Sequence, residues 1–290
     1  MTAKILNGRT MSAELKAELR EDVQHFVQVH GYAPGLVIVR IEGDAASGFY
    51  SKAILKIAKE MGVEARLDLL PEQTSTDELH AALLNLNSDD RIHGIIVQMP
   101  LPPHLSQDLV ANTIAPEKDI DGISPLSAGK LGLGLPGFQP STAAAVMEIL
   151  KRSNIQLEGK HAVVLGRSNV VGKPLALLLL QQHATVTICH SRTPDLASFT
   201  RQADILIAAV GRATMVNAEM VRPGATVIDV GTNALPEGGM VGDVDYAAVQ
   251  EVAGAITPVP GGVGPLTNAL LLKQCIEAAW RQAGDRARDH

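Results

Sequence analysis

The stretch that most constrains the fold runs from His161 to Pro174 and reads HAVVLGRSNVVGKP, with the apolar segment Leu175–Leu180 directly after it. A short apolar run ends in a glycine turn and an apolar helix begins at once. In a parallel sheet this is how a strand feeds a helix whose N-terminal N–H groups hold a phosphate. Glycine allows a pyrophosphate to approach the backbone closely. Ser168 stands where the usual G-x-G-x-x-G pattern has its second glycine, so the match to that pattern is loose.

The same alternation of strand and helix extends through most of the chain. Leu36–Ile41, Glu64–Leu69 and Gly94–Met99 read as strands; Ser12–Val29, Ala46–Met61 and Thr74/Ser75–Leu86 read as helices, with Ser75 a candidate cap. Between Asp119 and Ser141 the pattern breaks into glycines and prolines. From His161 it resumes, with strands expected at His161–Leu165, Thr185–Cys189, Ile205–Val210, Thr226–Val230 and Ala255–Thr257, and a final helix at Leu266–Ala283. The fold class is therefore α/β, with parallel sheets and right-handed crossovers. A length of 290 residues suits about two domains.

Composition narrows the partners. A net charge of −6 argues against nucleic acid, which needs a clustered basic face. Cys189 and Cys275 lack metal-ligand spacing and read as reduced core residues. Residues 1–11 lack the apolar core of a signal peptide, and the longest aliphatic run is far shorter than the roughly 20 residues needed to span a bilayer. A cytoplasmic protein is expected.

Ligands of open α/β sheets sit beyond the carboxyl ends of the strands. Three polar segments follow such ends: Gly166-Arg167-Ser168, His190-Ser191-Arg192-Thr193 and Gly211-Arg212. An acid after the second strand would accept the ribose hydroxyls of NAD. Here the chain offers Ser191 and Arg192, with Arg167 nearby, which suits a 2′-phosphate and predicts NADP.

With these segments in place the chain resembles the bifunctional methylenetetrahydrofolate dehydrogenase/methenyltetrahydrofolate cyclohydrolase family. Val97-Gln98-Met99-Pro100-Leu101-Pro102 is similar to the family's V-Q-L-P-L-P, and Lys118-Asp119-Ile120-Asp121-Gly122 to its K-D-V-D-G. Residues 166–174 resemble G-R-S-x-I-V-G-x-P, and residues 257–265, TPVPGGVGP, match the last signature without a change. The resemblance implies an N-terminal α/β folate-binding domain over residues 1–140 and a Rossmann-like NADP-binding domain over 141–264. It also implies a C-terminal helix over 265–290 that returns to the first domain, a cleft between the two domains, and a homodimer. It implies oxidation of 5,10-methylenetetrahydrofolate to the 5,10-methenyl form and hydrolysis of that cation to 10-formyltetrahydrofolate, within the one-carbon metabolism that supplies purine biosynthesis.

Residue by residue, the resemblance places Tyr50, Gln98 and Asp121 at catalytic positions. Tyr50 would stack in the folate site and Asp121 would hold the pterin amide and amino groups. Gly262 and Pro265 would contact the substrate, with 260–265 lining the site. Gly166, Arg167, Ser168, Ser191 and Thr232 fall on cofactor contacts, and no metal is implied.

One departure matters most. The family pattern is Tyr-x-x-x-Lys, and this chain reads Tyr50-Ser51-Lys52-Ala53-Ile54. At about 100° per residue, Lys52 and Lys56 point away from Ile54 and are expected in solvent. Hydride transfer needs orientation rather than a side-chain proton shuttle, whereas hydrolysis needs a titratable group. The dehydrogenase is therefore expected to survive and the cyclohydrolase to be lost or weakened. Softer departures are Ser127, Ser141-Thr142-Ala143, Thr232 and Asn268; Ser127 and Asn268 are expected near the folate cleft, where they would shift substrate preference. Two other readings stay open: a paralogue acting on another reduced pterin, and a non-catalytic protein that binds NADP or folate.

Overall fold

In the computed structural model, which describes residues 2–43, 45–235 and 238–284, the strands form two parallel sheets and a short antiparallel hairpin. The chain divides into two compact units, one of Met1–Ala13 with Pro140–Thr267, the other of Glu14–Gln139 with Asn268–His290. The N-terminal residues thus group with the larger sheet rather than with residues 14–139. The reason is a strand that the sequence reading passed over: Lys4–Ile5 pairs in parallel with Ala255–Ile256 at the edge of that sheet.

The larger sheet has the order Lys4–Ile5, Ala255–Ile256, Thr226–Asp229, Ile205–Ala208, His161–Leu165, Thr185–Cys189, with every pairing parallel. Its β-branched and aliphatic residues pack into a core that includes Val163, Leu165, Leu206, Val227, Val244 and Ile256. The chain passes from His161–Leu165 outward to Thr185–Cys189 and then returns across to Ile205–Ala208. That reversal is the switch point at which such sheets leave a crevice. The hairpin of Asn233–Ala234 and Met240–Val241 follows Thr226–Asp229 in the chain.

The smaller sheet has Gly35–Ile41 at its centre, flanked by Glu64–Leu70 and Gly94–Val97. Val37, Val39, Ile41, Ile95 and Val97 share one face and pack on Leu79, Leu83, Leu86 and Val110. The helix Thr76–Asn87 beneath this core starts at Ser75. Its hydroxyl accepts from Glu78 N–H, while the Glu78 carboxylate accepts from Ser75 N–H at 2.7 Å, a reciprocal capping box. Here too the chain visits one flank and then crosses to the other, so the switch point lies between Gly35–Ile41 and Gly94–Val97.

The C-terminal helix, Val263–Gln282, is bonded to the loops of the smaller sheet through two glutamines. Gln274 Nε2 donates to the carbonyls of Ile120 (2.8 Å) and Gln139 (2.9 Å), and Gln282 Nε2 donates to His93 O at 2.9 Å. Cys189 and Cys275 are both buried and free. No helix among the described residues is long and apolar enough to cross a membrane.

Aromatic residues are scarce, yet three of them gather at the amino ends of the smaller sheet's strands. Phe26 packs edge-on against Trp280 (4.9 Å between centroids) and Tyr32 (5.4 Å), and Tyr32 stacks on His93 at 5.8 Å. His93 Nδ1 accepts the Gly35 N–H at 2.8 Å, so the neutral ring is the one that fits. Burial, followed by the charges of Lys118 and Arg91, pushes its pKa down to about 4. The folded state therefore resists a proton that the unfolded chain takes up near pH 6.5. Stability from this group is present above pH 6.5 and is lost as pH falls toward 4. Urea unfolding at pH 7 and pH 5 should show the wild type losing about 2 kcal/mol from this source, and His93→Gln, whose side-chain oxygen can still accept from Gly35, should lose that dependence.

Candidate active site

At the carboxyl end of the smaller sheet, Gln98 follows Gly94–Val97 directly, and its N–H continues the ladder by donating to Val39 O at 2.8 Å. Helix Ala45–Met61 lies over it. The buried Ser51 donates its hydroxyl to Gln98 Oε1 at 3.2 Å, which fixes the orientation of the amide. Tyr50 is half-buried on the same helix; burial and then the nearby Asp121 carboxylate push its phenol up, so it stays protonated at any working pH. Ile54, one turn after Tyr50, is 0 % exposed, whereas Lys52 and Lys56 are exposed as the helical geometry predicts.

The segment 118–122 divides its labour among its charged residues. The buried Lys118 donates to the carbonyls of Leu86 (3.1 Å) and Asp89 (2.7 Å). Asp119 is fully buried and accepts from Ile123 N–H (3.0 Å), Ser124 N–H (2.9 Å) and the Ser127 hydroxyl (2.6 Å). It fixes the turn on which Asp121, half-buried, is presented, while Gln274 holds the carbonyl of the preceding Ile120. Ser127 was expected near the folate cleft. Its hydroxyl is buried and bonded to Asp119, two residues before Asp121, so it supports that turn. Asn268 lies in the helix Val263–Gln282, and its Oδ1 is buried without a hydrogen-bond partner among the described residues.

In the other unit, the turn after His161–Leu165 is closed by two glycines against each other. A side chain on Gly172 would begin 2.2 Å from the Gly166 carbonyl, and one on Gly166, where φ is 118°, would begin 2.2 Å from Ala209 O. Ser168 Oγ accepts the N–H groups of Val171 (3.1 Å) and Gly172 (3.4 Å), so the serine that stands in place of the usual glycine ties the turn to the start of the helix Gly172–Gln181. Arg167, Ser168, Ser191, Arg192 and Thr232 are all exposed at the carboxyl edge of this sheet. A tight glycine cradle flanked by exposed cations and hydroxyls fits a phosphorylated dinucleotide.

Comparison with known proteins decides the family. The sequence profile of the tetrahydrofolate dehydrogenase/cyclohydrolase catalytic domain matches residues 6–121, and that of the same family's NAD(P)-binding domain matches residues 140–283. The chain belongs to the tetrahydrofolate dehydrogenase/cyclohydrolase family. It is 50% identical over 286 residues, 99% of each chain, to the bifunctional protein FolD of Roseiflexus sp. (strain RS-1). Among solved structures it is similar to the FolD methylenetetrahydrofolate dehydrogenase/cyclohydrolase of Campylobacter jejuni (TM-score 0.94, 43% identity, 96% of this chain and 99% of that one). It is also similar to the Trypanosoma brucei FolD complexed with NADP cofactor and inhibitor (TM-score 0.93, 36% identity, 98% and 99%).

Within the unit of Glu14–Gln139 and Asn268–His290, Tyr50, Gln98 and Asp121 come from one helix, one strand end and one loop, and the effect of the Asp121 charge on Tyr50 and the Ser51–Gln98 bond link them to one corner. In the NAD(P)-binding unit, Gly262 is buried and the site for a side chain on Gly8 overlaps its carbonyl, while Pro265 O accepts from Ser12 Oγ at 2.8 Å. The expected substrate contacts Gly262 and Pro265 are thus tied to residues 8–12.

Two buried aspartates escaped the sequence reading. Asp243 Oδ2 accepts from Val210 (2.6 Å) and Gly211 N–H (3.0 Å), and its Oδ1 accepts from Arg212 N–H (2.8 Å) and Asn233 Nδ2 (3.0 Å). Asp229 accepts from the N–H groups of Gly231, Asp243 and Val244, each at 2.9 Å. Burial raises the Asp229 pKa to about 6 against the pull of those donors, with the neighbouring Asp243 carboxylate adding to the rise. Thr232 sits between Gly231 and Asn233, so the pair sets its position. The signal available in sequence was Val241-Gly242-Asp243, where glycine precedes an acid: a side chain on Gly242 would begin 1.8 Å from Asp229 Oδ2. Asp243→Asn puts an amide NH2 against two backbone or side-chain donors. Steady-state kinetics should show the KM for NADP raised about tenfold or more with the folate KM within twofold, and a lower thermal midpoint.

Proposed function

We propose that this chain oxidises 5,10-methylenetetrahydrofolate to the 5,10-methenyl form with NADP, and that its hydrolysis of the methenyl cation is weak or absent. One observation carries the second half: the position one turn after Tyr50 is a fully buried isoleucine beside an otherwise equipped corner. Bound NADP supplies the hydride acceptor. The protein's part in that step is to orient the pterin, with Asp121 accepting two parallel N–H donors from the ring and Gln98 held by Ser51. The Tyr50 phenol, protonated throughout, donates or packs but moves no proton by titration.

Hydrolysis makes different demands. Water must add to the methenyl carbon, give up a proton and open the ring, and general acid–base catalysis of such steps is worth about 10²–10⁴-fold. Ile54 cannot titrate, and Lys52 and Lys56 are exposed on the far side of the helix. NADP is favoured over NAD by Arg167, Ser191 and Arg192 at the carboxyl edge. A binding protein without turnover is not favoured, because the glycine cradle, Gln98 and Asp121 are all retained. The reading further includes a cytoplasmic homodimer that takes reduced folate and no nucleic acid, the last on the net charge of −6.

The test follows NADPH and methenyl product separately in purified protein given methylenetetrahydrofolate and NADP⁺. NADPH should form while methenyl accumulates above its uncatalysed decay; removal of methenyl as fast as it appears would overturn the reading of Ile54. Ile54→Lys should raise methenyl hydrolysis by about 10²-fold, at a cost in stability because the new ammonium starts from a buried position.

A further inference from the structure

Arg40 is the penultimate residue of Gly35–Ile41, the central strand of the smaller sheet, and no part of the resemblance assigns it a role. Val39 is paired with Val97 and Gln98 N–H donates to Val39 O, so Arg40 and Gln98 lie side by side on neighbouring strands. Strand alternation puts both on the face opposite the core of Val37, Val39, Ile41, Ile95 and Val97. The boundary between these two strands is also the sheet's switch point, where a crevice opens beyond the carboxyl ends.

The same helix stripe covers the two side chains. Ser51 bonds Gln98, and one turn earlier Gly48 faces Arg40: a side chain on Gly48 would begin 2.8 Å from Arg40 Nη1. Glycine at 48 therefore leaves room for the guanidinium. Arg40 is half-buried, and its Nε is shut off from solvent with no hydrogen-bond partner among the described residues. A guanidinium N–H withdrawn from water without an acceptor is costly, and such a group at a ligand crevice is matched when the ligand brings an oxygen.

We propose that Arg40 is a substrate-binding residue of the folate site, donating to an oxygen on the pterin ring of the bound reduced folate. The assignment rests on the folate reading above. It accounts for the corner as a whole: where the family places an ammonium on the helix, this chain has isoleucine, and a positive charge arrives instead from the strand. A guanidinium offers several N–H donors in a planar fork and no acceptor, which suits holding a ring oxygen rather than moving a proton.

Isothermal titration with tetrahydrofolate, and with tetrahydropterin lacking the glutamate tail, compares wild type with Arg40→Leu, Arg40→Gln and Arg40→Lys. Arg40→Leu should weaken both ligands about tenfold or more, raise the folate KM in parallel and leave the NADP KM within twofold. Arg40→Lys should stay within about threefold of wild type, and Arg40→Gln, which removes the charge with a smaller change in polarity, should weaken both ligands about tenfold and decides the question if the leucine variant fails to fold. Unchanged affinity in the charge-removing variants, Arg40→Leu and Arg40→Gln, overturns the proposal, as does a loss confined to tetrahydrofolate, which would place the contact at the tail. A wild type that binds tetrahydrofolate but transfers no hydride overturns the proposed reaction instead, and the binding comparison still decides Arg40.

Discussion

Loops that leave the carboxyl ends of parallel strands carry backbone N–H groups with no ladder to join, and each needs an acceptor. In this protein buried carboxylates supply them. Asp119 gathers the turn that presents Asp121, and Asp229 with Asp243 gathers the loops on either side of Thr232. An ionised carboxylate is the one side chain that offers about four lone-pair sites and no competing proton. Burying it costs desolvation, which the raised pKa of Asp229 registers, and the N–H donors offset that cost. Both units thus hold the loops at their carboxyl edges by the same device, although they share no detectable sequence repeat.

The acids that hold the turns and the acid proposed to meet the substrate differ in a simple way. Asp119 and Asp243 are wholly buried with their oxygens engaged, while Asp121 is half-exposed two residues from one of them. In the run Lys-Asp-Ile-Asp-Gly the sequence alone does not say which aspartate is which. The side that faces inward is set by Gln274, 153 residues after Asp121 in the chain, and by Ser127 behind the turn.

Legibility followed range of interaction. His161–Leu165 and Thr185–Cys189 were readable to the residue because a short run rich in β-branched residues and bounded by polar or glycine turns has few other solutions. The Ser75 cap was readable because its partner Glu78 lies within the same turn. Lys4–Ile5 was not, since two residues become a strand only when a distant edge, Ala255–Ile256, accepts them. Pro125–Gly132 hides as a helix among glycines because its start is fixed by Ser124 and Pro125 while its pattern is too short to show a period. Arg40 was invisible for a related reason. A lone arginine at a strand end means nothing until the register sets it beside Gln98 and the helix places a glycine over it.

The aromatic cluster has a consequence for how the molecule can be observed. Trp280 is the single tryptophan of the sequence, and it is packed against Phe26 within the unit of Glu14–Gln139 and Asn268–His290. Intrinsic tryptophan emission is therefore a reporter for that unit alone. A cofactor domain that loosened first would be silent in such a measurement, and an unfolding curve recorded this way describes half of the protein. Placing a second indole in the larger sheet's core would give each half its own signal and turn one apparent transition into a comparison of two.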